Sequence, residues 1–191
     1  DGHACGIALV PDNDWGLRIA ASFGEQLQAG GGRLLDVATY PTGEADYSDT
    51  ITRVLHVDQS DGRHNRLEGI LGMKLKFEPR RRGDIEFIFL AARPRDGRLI
   101  RPQLRFHHAA DLPVYATSAI FEETGGNNRD LDGVMFDDAP WVLSQDESTA
   151  ALRQSIVGNQ ARVSARRGRL YALGFDAYRL VPLIKNDRAA L

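Results

Sequence analysis

At 191 residues, with 42% hydrophobic and 26% charged side chains, the chain has the composition of a folded globular protein rather than a disordered one. Its formal charge of −2 gives no electrostatic reason to expect nucleic acid or an anionic membrane surface, and no stretch approaches the roughly 20 apolar residues of a membrane span. A single cysteine, Cys5, excludes an intrachain disulfide and a thiolate metal cluster.

The chain opens at Asp1 without Met, signal sequence or lipid-attachment motif and enters an apolar run within a few residues, as a trimmed segment would. That run, Cys5 to Pro11, is expected to be a strand, with Cys5 as a small buried side chain at its start. Pro11-Asp12-Asn13-Asp14 then reads as a turn with capping residues. Trp15, Ile19, Phe23 and Leu27 recur every four residues and share one helical stripe, which Gly30-Gly31-Gly32 stops. Arg33 to Tyr40 supplies a second strand, and Tyr47-Ser48-Asp49 leads into a helix that carries Ile51, Val54 and Leu55 toward the sheet.

Residues 58–83 interrupt this alternation without a strong strand. Leu67, Ile70, Leu71 and Met73 suggest a short helix there, in an insertion open to partner contact or to mere packing. Arg80-Arg81-Arg82 and Arg166-Arg167 read as solvated basic turns.

Asp84 to Ala92 is a nearly unbroken apolar run and Pro113 to Ala116 a shorter one, as parallel strands covered on both faces require. Between them Leu99, Leu104 and Phe106 supply a crossover helix ended by Asp111-Leu112-Pro113, so the stretch predicts one βαβ unit. The two strand exits, at Ala92-Arg93-Pro94 and Thr117-Ser118, should lie side by side on the edge where open α/β sheets bind ligands. A loop with Gly125-Gly126-Asn127-Asn128, a fifth strand over Leu131 to Met135 and a Pro-containing exit follow. Two helices are expected last, Asp146 to Gln160 and Arg169 to Ile184, with Pro182 in doubtful helical company.

The chemistry-bearing residues favour binding over catalysis. His107 and His108, taken as neighbours on a helix, point about 100° apart and cannot share an ion. No His-x-x-x-His or Cys-x-x-Cys pair exists, so no metal site is expected. Asp137 and Asp138 fit turn capping beside Pro140 as well as a carboxylate pair, and no G-x-S-x-G elbow surrounds Ser118. The first strand exit carries no phosphate-binding glycine pattern, and Asp12 and Asp14 would repel phosphate. What remains at the expected sheet edge is Asp14, Trp15 and Gly16, Ala92 and Arg93, and Thr117 and Ser118, a candidate cleft lining with no catalytic residue, no metal and no cofactor.

Three strings carry a resemblance: DIEFIFLAARPRDGRLIRPQLRFHHAADLPVYATSAIF, DLDGVMFDDAPW and RLYALGFDAYRLVPLI, preceded by GIALVPDNDWGLRIAASFGEQLQAGGGRLLDVATYP. Together they resemble the C-terminal domain of the LppC/LpoA outer-membrane lipoproteins, the penicillin-binding protein activators. The resemblance implies a three-layer αβα fold with a mostly parallel sheet, one lobe of a type I periplasmic binding protein. The lobe would span residues 1–142, and residues 143–191 would be a helical tail from an incomplete opposite lobe. It further implies a non-enzymatic regulator of peptidoglycan synthesis on the inner leaflet of the outer membrane, reaching through the periplasm to a class A penicillin-binding protein. The lipidated cysteine, the helical-repeat domain and the first half of the other lobe are missing from the chain, so a membrane would be met only through an anchor it does not carry.

Two other functions stay open. One is a periplasmic sensor for a cell-wall fragment or amino acid, held where Arg93, Thr117 and Ser118 meet Trp15. The other, a wall hydrolase, lacks a nucleophile, metal or activated carboxylate pair. The stripe of Leu170, Leu173, Ala177, Leu180 and Ile184 would face water in an incomplete lobe, so these helices are expected to fold over the remaining lobe or pack against a second copy as a homodimer.

Overall fold

The computed structural model describes residues 2–122, 128–143 and 146–189. Most of the expected loop around Gly125-Gly126-Asn127-Asn128 lies outside the described residues. The chain divides into two compact units, one running to Phe136 and one from Asp137.

In the first unit five short strands form an all-parallel sheet. They are β1 (Cys5–Pro11), β2 (Arg33–Tyr40), β3 (Phe87–Leu90), β4 (Val114–Ala116) and β5 (Val134–Phe136), in the order β2-β1-β3-β4-β5. The connections are α1 (Asp14–Ala29), α2 (Ser48–Val54) with α3 (Val57–Leu71), and α4 (Pro94–Leu104). The α/β class, the parallel pairing of β3 with β4 and the first two strands stand as expected.

Alternation along the strands explains why β1 and β3 read as unbroken apolar runs: both faces are covered. Ile7, Leu9, Ile88 and Leu90 meet Ile51, Val54 and Leu55 of the α2 segment and Ile100 and Leu104 of α4. Ala8, Val10, Phe87 and Phe89 point the other way, toward Trp15, Ile19, Phe23 and Leu27 of α1. Phe23 stacks on Phe89 with ring centroids 3.8 Å apart. The Phe87 ring lies over Gly6, where any Cβ would collide with it.

Several boundaries differ from the sequence reading. Only four residues of the 84–92 run are assigned strand, although Ile85, Ala91 and Ala92 are buried as well and the Ala91 amide still reaches the Leu9 carbonyl of β1. Leu131 belongs to a 3₁₀ turn, Asn128–Leu131, and Gly133 turns the chain at φ 81° before β5 starts at Val134. α3 begins at Val57, ten residues before the apolar cluster that suggested it; most of this helix is polar and exposed, so hydrophobic periodicity could not mark its start. Phe106 does not face the core but is 79% exposed. The α-helix gives way after Leu104 to a wider π turn, Arg105–Ala109, in which His107 and His108 leave helical angles and His108 has φ 64°.

In the second unit the two expected helices are one: α5 (Pro140–Leu143) is followed by a single α6 (Glu147–Ala189). Ala161, Arg162, Ala165, Arg166 and Arg167 are strong helix formers, and Gly168 costs a helix only about 1 kcal/mol. Trp141 of α5 packs on Phe175 at 5.2 Å, beside the buried Ala172. Arg153 donates to the Trp141 and Val142 carbonyls at 2.8 and 3.0 Å. Asp138 accepts from the Ala139 amide and from Arg169, which assigns it to turn capping and an ion pair. The stripe of Leu170, Leu173, Leu180 and Ile184 lies at 65, 68, 51 and 56% exposure.

Candidate functional site

Strand order reverses between β1 and β3, because the chain goes from β1 to β2 on one side and from β3 to β4 on the other. Connections leaving in opposite directions open a crevice outside the carboxyl ends of those two strands. A crevice of about 480 Å³ occupies this place, with Asp14, Trp15 and Arg93 among its lining residues.

Each wall has a local cause. Asn13 caps α1 through a 3.0 Å bond from the Gly16 amide, which presents Asp14 and Trp15 on the first turn. Gly16 is buried; a Cβ there would strike the Pro11 carbonyl, so this glycine lets α1 start close against β1. Arg93 occupies the position before the first turn of α4 without a side-chain capping bond, and its guanidinium lies 4.8 Å from the Trp15 ring centroid, a cation–π contact. The floor is polar but closed. Asp96 is 5% exposed and accepts at one oxygen from the Tyr47 hydroxyl at 2.9 Å and from the Gly43 amide at 3.1 Å. Tyr40 donates to the Ala91 carbonyl at 2.7 Å. Burial, with Asp96 nearby, drives the Tyr40 hydroxyl far above its ordinary range. Burial and the bond to Asp96 push Tyr47 up to about 12. Both phenols are neutral donors at any physiological pH.

Of the seven residues expected at the edge, the structure brings Asp14, Trp15 and Arg93 together and sets Gly16 directly behind them. Ala92 is fully buried and presents nothing to a ligand. Thr117 and Ser118 stand one strand away, at the exit of β4, and do not line the crevice. The reason is topological: from β3 to β5 the order advances without reversing, so no crevice opens between those exits. Tyr40, Thr42 and Asp96 were missed as lining residues. Asp96 sits two residues after Pro94 and reads as an ordinary first-turn acid; only its contact with Tyr47, 49 residues earlier, shows otherwise.

The crevice therefore brings together one cation stacked on an aromatic ring, the Asp14 carboxylate beside that ring, and the closed Asp96 on its floor. Among the described residues no three His, Cys, Asp or Glu side chains converge to hold a metal ion.

The chain matches the family described as LppC putative lipoprotein over residues 1–189. A protein of Photobacterium profundum named penicillin-binding protein activator LpoA is 27% identical over 183 residues, covering 94% of this chain and 29% of that protein. The protein of the same name from Vibrio cholerae is 26% identical over 182 residues, with 94% and 30% covered. The chain thus spans about 30% of the length of these curated relatives. A crystal structure of full-length LpoA from Haemophilus influenzae superposes with a TM-score of 0.57 at 20% identity, covering 95% of this chain and 28% of that one. An ABC transporter substrate-binding protein from Sphaerobacter thermophilus gives 0.57 at 11% identity, covering 84% and 38%. At such identities these two structures show the fold alone, an α/β fold like that of periplasmic binding proteins.

Proposed function

The chain belongs to the LppC putative lipoprotein family, and from that premise we propose that it is the binding-protein-like part of a non-enzymatic activator of a penicillin-binding protein. The observation that carries this reading is the match over nearly the whole chain to relatives named penicillin-binding protein activators. We extend it to a class A synthase as target and to a lipoprotein on the inner leaflet of the outer membrane, which faces peptidoglycan from the periplasm. The crevice supports a role without turnover, since its walls pair Arg93 with Trp15 and tie Asp96 to Tyr47. A transpeptidase assay of the class A enzyme from the same organism tests the reading. Stimulation that saturates with the added protein is expected, and an unchanged rate with no association sinks it.

Two further assignments belong to this proposal. Residues 143–191 form part of an opposite lobe, whose exposed stripe at Leu170, Leu173 and Leu180 a second copy covers. The crevice serves as a sensor for a small wall-derived or amino-acid ligand, and the face-on approach of Arg93 to Trp15 at the strand-order reversal favours this second reading. Its site is Asp14, Trp15, Arg93 and Asp96, without Thr117 and Ser118. Calorimetry with muropeptides and free amino acids should show heat that Arg93→Ala abolishes; no heat from any of them removes the sensor role.

A further inference from the structure

The segment after α2 is built as a unit that the crevice does not use. Of its helix α3, only Val57 and Ser60 are buried among the described side chains. At Gly72, whose φ of 63° ends the helix, the chain reverses and returns along it. The Leu75 amide donates to Glu68 at 2.8 Å, the Phe77 ring stacks on His64 at 4.1 Å and the Arg80 amide donates to Ser60 at 3.3 Å. Farther along, the Arg82 amide reaches the Leu55 carbonyl at 2.9 Å. Partners step down the helix as the strap steps away from Gly72, so the strap is antiparallel to α3 and pinned along its length.

Pinning the strap turns Glu68 inward and leaves a different group of side chains outside. Leu67, Ile70, Leu71 and Met73 are 50, 73, 56 and 60% exposed, and the first three share one helical side beside the strap. Arg63 and Arg66 stand one turn earlier, four residues before Leu67 and Ile70, and Lys74 and Lys76 follow on the strap; all four are exposed. Residues 57–83 carry seven Arg or Lys against four Asp or Glu, in a chain whose formal charge is −2.

Resting on the activator reading, we propose that this helix-and-strap unit is the surface that docks the partner protein, by seating Leu67, Ile70, Leu71 and Met73 in an apolar depression rimmed by acidic residues. A small apolar centre inside a charged rim is the pattern of a protein contact in which a few central side chains carry the affinity. The methionine suits an irregular partner surface. The basic rim sets the sign of that partner and speeds its approach. A lipid bilayer fits less well. An interfacial helix buries a continuous apolar face over its whole length, whereas α3 is apolar only over its last turns and polar before them.

The test uses the intact protein and the purified class A penicillin-binding protein of the same organism on a sensor surface, at low and at moderate salt. Ile70→Glu with Leu71→Glu should weaken binding by about 30-fold or more while leaving the melting temperature unchanged, since both side chains are already exposed. Arg66→Glu with Lys74→Glu should slow association about tenfold at low salt and less at moderate salt. Wild-type stimulation of the synthase together with unaltered binding by both variants overturns the docking site and leaves the activator reading standing. Absence of wild-type binding and stimulation overturns both. Loss confined to vesicles containing phosphatidylglycerol, with synthase binding intact, assigns the patch to lipid and overturns the protein partner.

Discussion

The Tyr47 hydroxyl donates to Asp96 across 2.9 Å, fastening the loop after β2 to the first turn of α4 although the residues lie 49 apart in sequence. The Gly43 amide completes the cradle, so a carboxylate that is 5% exposed is held from two sides on the floor of the crevice. Leaving one of these bonds unmade strands part of a buried charge. Tyr47→Phe should therefore cost about 1–3 kcal/mol in urea denaturation, without changing the slope of the transition. A loss under about 0.3 kcal/mol would show that water replaces the hydroxyl freely.

The same phenol gives an alkaline signature. Burial and the Asp96 bond raise its folded-state value from 10.0 to about 12. Only the unfolded chain ionises Tyr47 between those values, so its contribution is complete below pH 10 and falls away as pH rises toward 12. Tyr40, raised in the same direction, adds to the loss. Stability measured from pH 9 to pH 11.5 should drop, and Tyr47→Phe should flatten part of the slope. Parallel curves for the two proteins would contradict the assignment.

At the acid end the sign reverses. Arg82 grips Asp84 with two bonds of 2.7 and 2.8 Å, and this pairing holds the Asp84 carboxyl down from 3.8 to about 2. The contribution is present above the unfolded value and is lost as pH falls through the folded one. Asp84→Asn should lower the denaturation midpoint at pH 7 and make little difference at pH 2. The pair is exposed, so the expected effect is small, of the order of 0.5 kcal/mol. An equal gap at both pH values would place the effect in packing rather than charge.

How much of this was legible depends on which force shaped each element. β1 and β2 were legible to the residue because burial on both faces, or a turn at each end, wrote them into the apolar pattern. The first ten residues of α3 were hidden because they are held by a strap of hydrogen bonds and a ring stack, which leave no periodicity in hydrophobic residues; only its apolar end was legible. His107 and His108 misled because a π turn after Leu104 breaks the helix that their surroundings suggest. Three of the eight lining residues, Asp14, Trp15 and Arg93, could be placed from strand exits alone. Tyr40, Thr42 and Asp96 depend on which exits become neighbours at the reversal, a fact of strand order that no local stretch records. Thr117 and Ser118 drop out for that reason, and Tyr40 and Asp96 enter.

Close packing at the reversal also makes a sharp prediction about Gly16. Its backbone runs against Pro11, and a Cβ would meet the carbonyl oxygen there, an atom of the backbone that cannot swing aside. Gly16→Ala should cost about 1–3 kcal/mol and disturb Trp15 fluorescence, because the first turn of α1 must lift away from β1. Gly62→Ala is the control, since nothing lies within 4 Å of its added methyl. At that helical position alanine should be neutral or stabilising by up to about 1 kcal/mol. Equal effects at the two sites would refute the close approach.

Leu170, Leu173, Ala177, Leu180 and Ile184 are spaced three and four residues apart in alternation, the seam spacing by which one helix meets another. The side of α6 that holds Ala172 and Phe175 is occupied by Trp141, so α5 already covers a different face and the seam remains for a separate helix. Small Ala177 at the centre lets a second α6 approach closely, and a two-fold pairing buries each seam leucine twice. Each Leu covered contributes roughly 2 kcal/mol. The protein should accordingly sediment as a dimer at micromolar concentration. Leu173→Lys with Leu180→Lys should raise the dissociation constant more than about 100-fold, with the circular dichroism of the monomer retained, because both side chains are exposed in the single chain. A wild-type protein that stays monomeric at about 100 μM, or a double variant that dimerises as before, would remove the second copy from this seam.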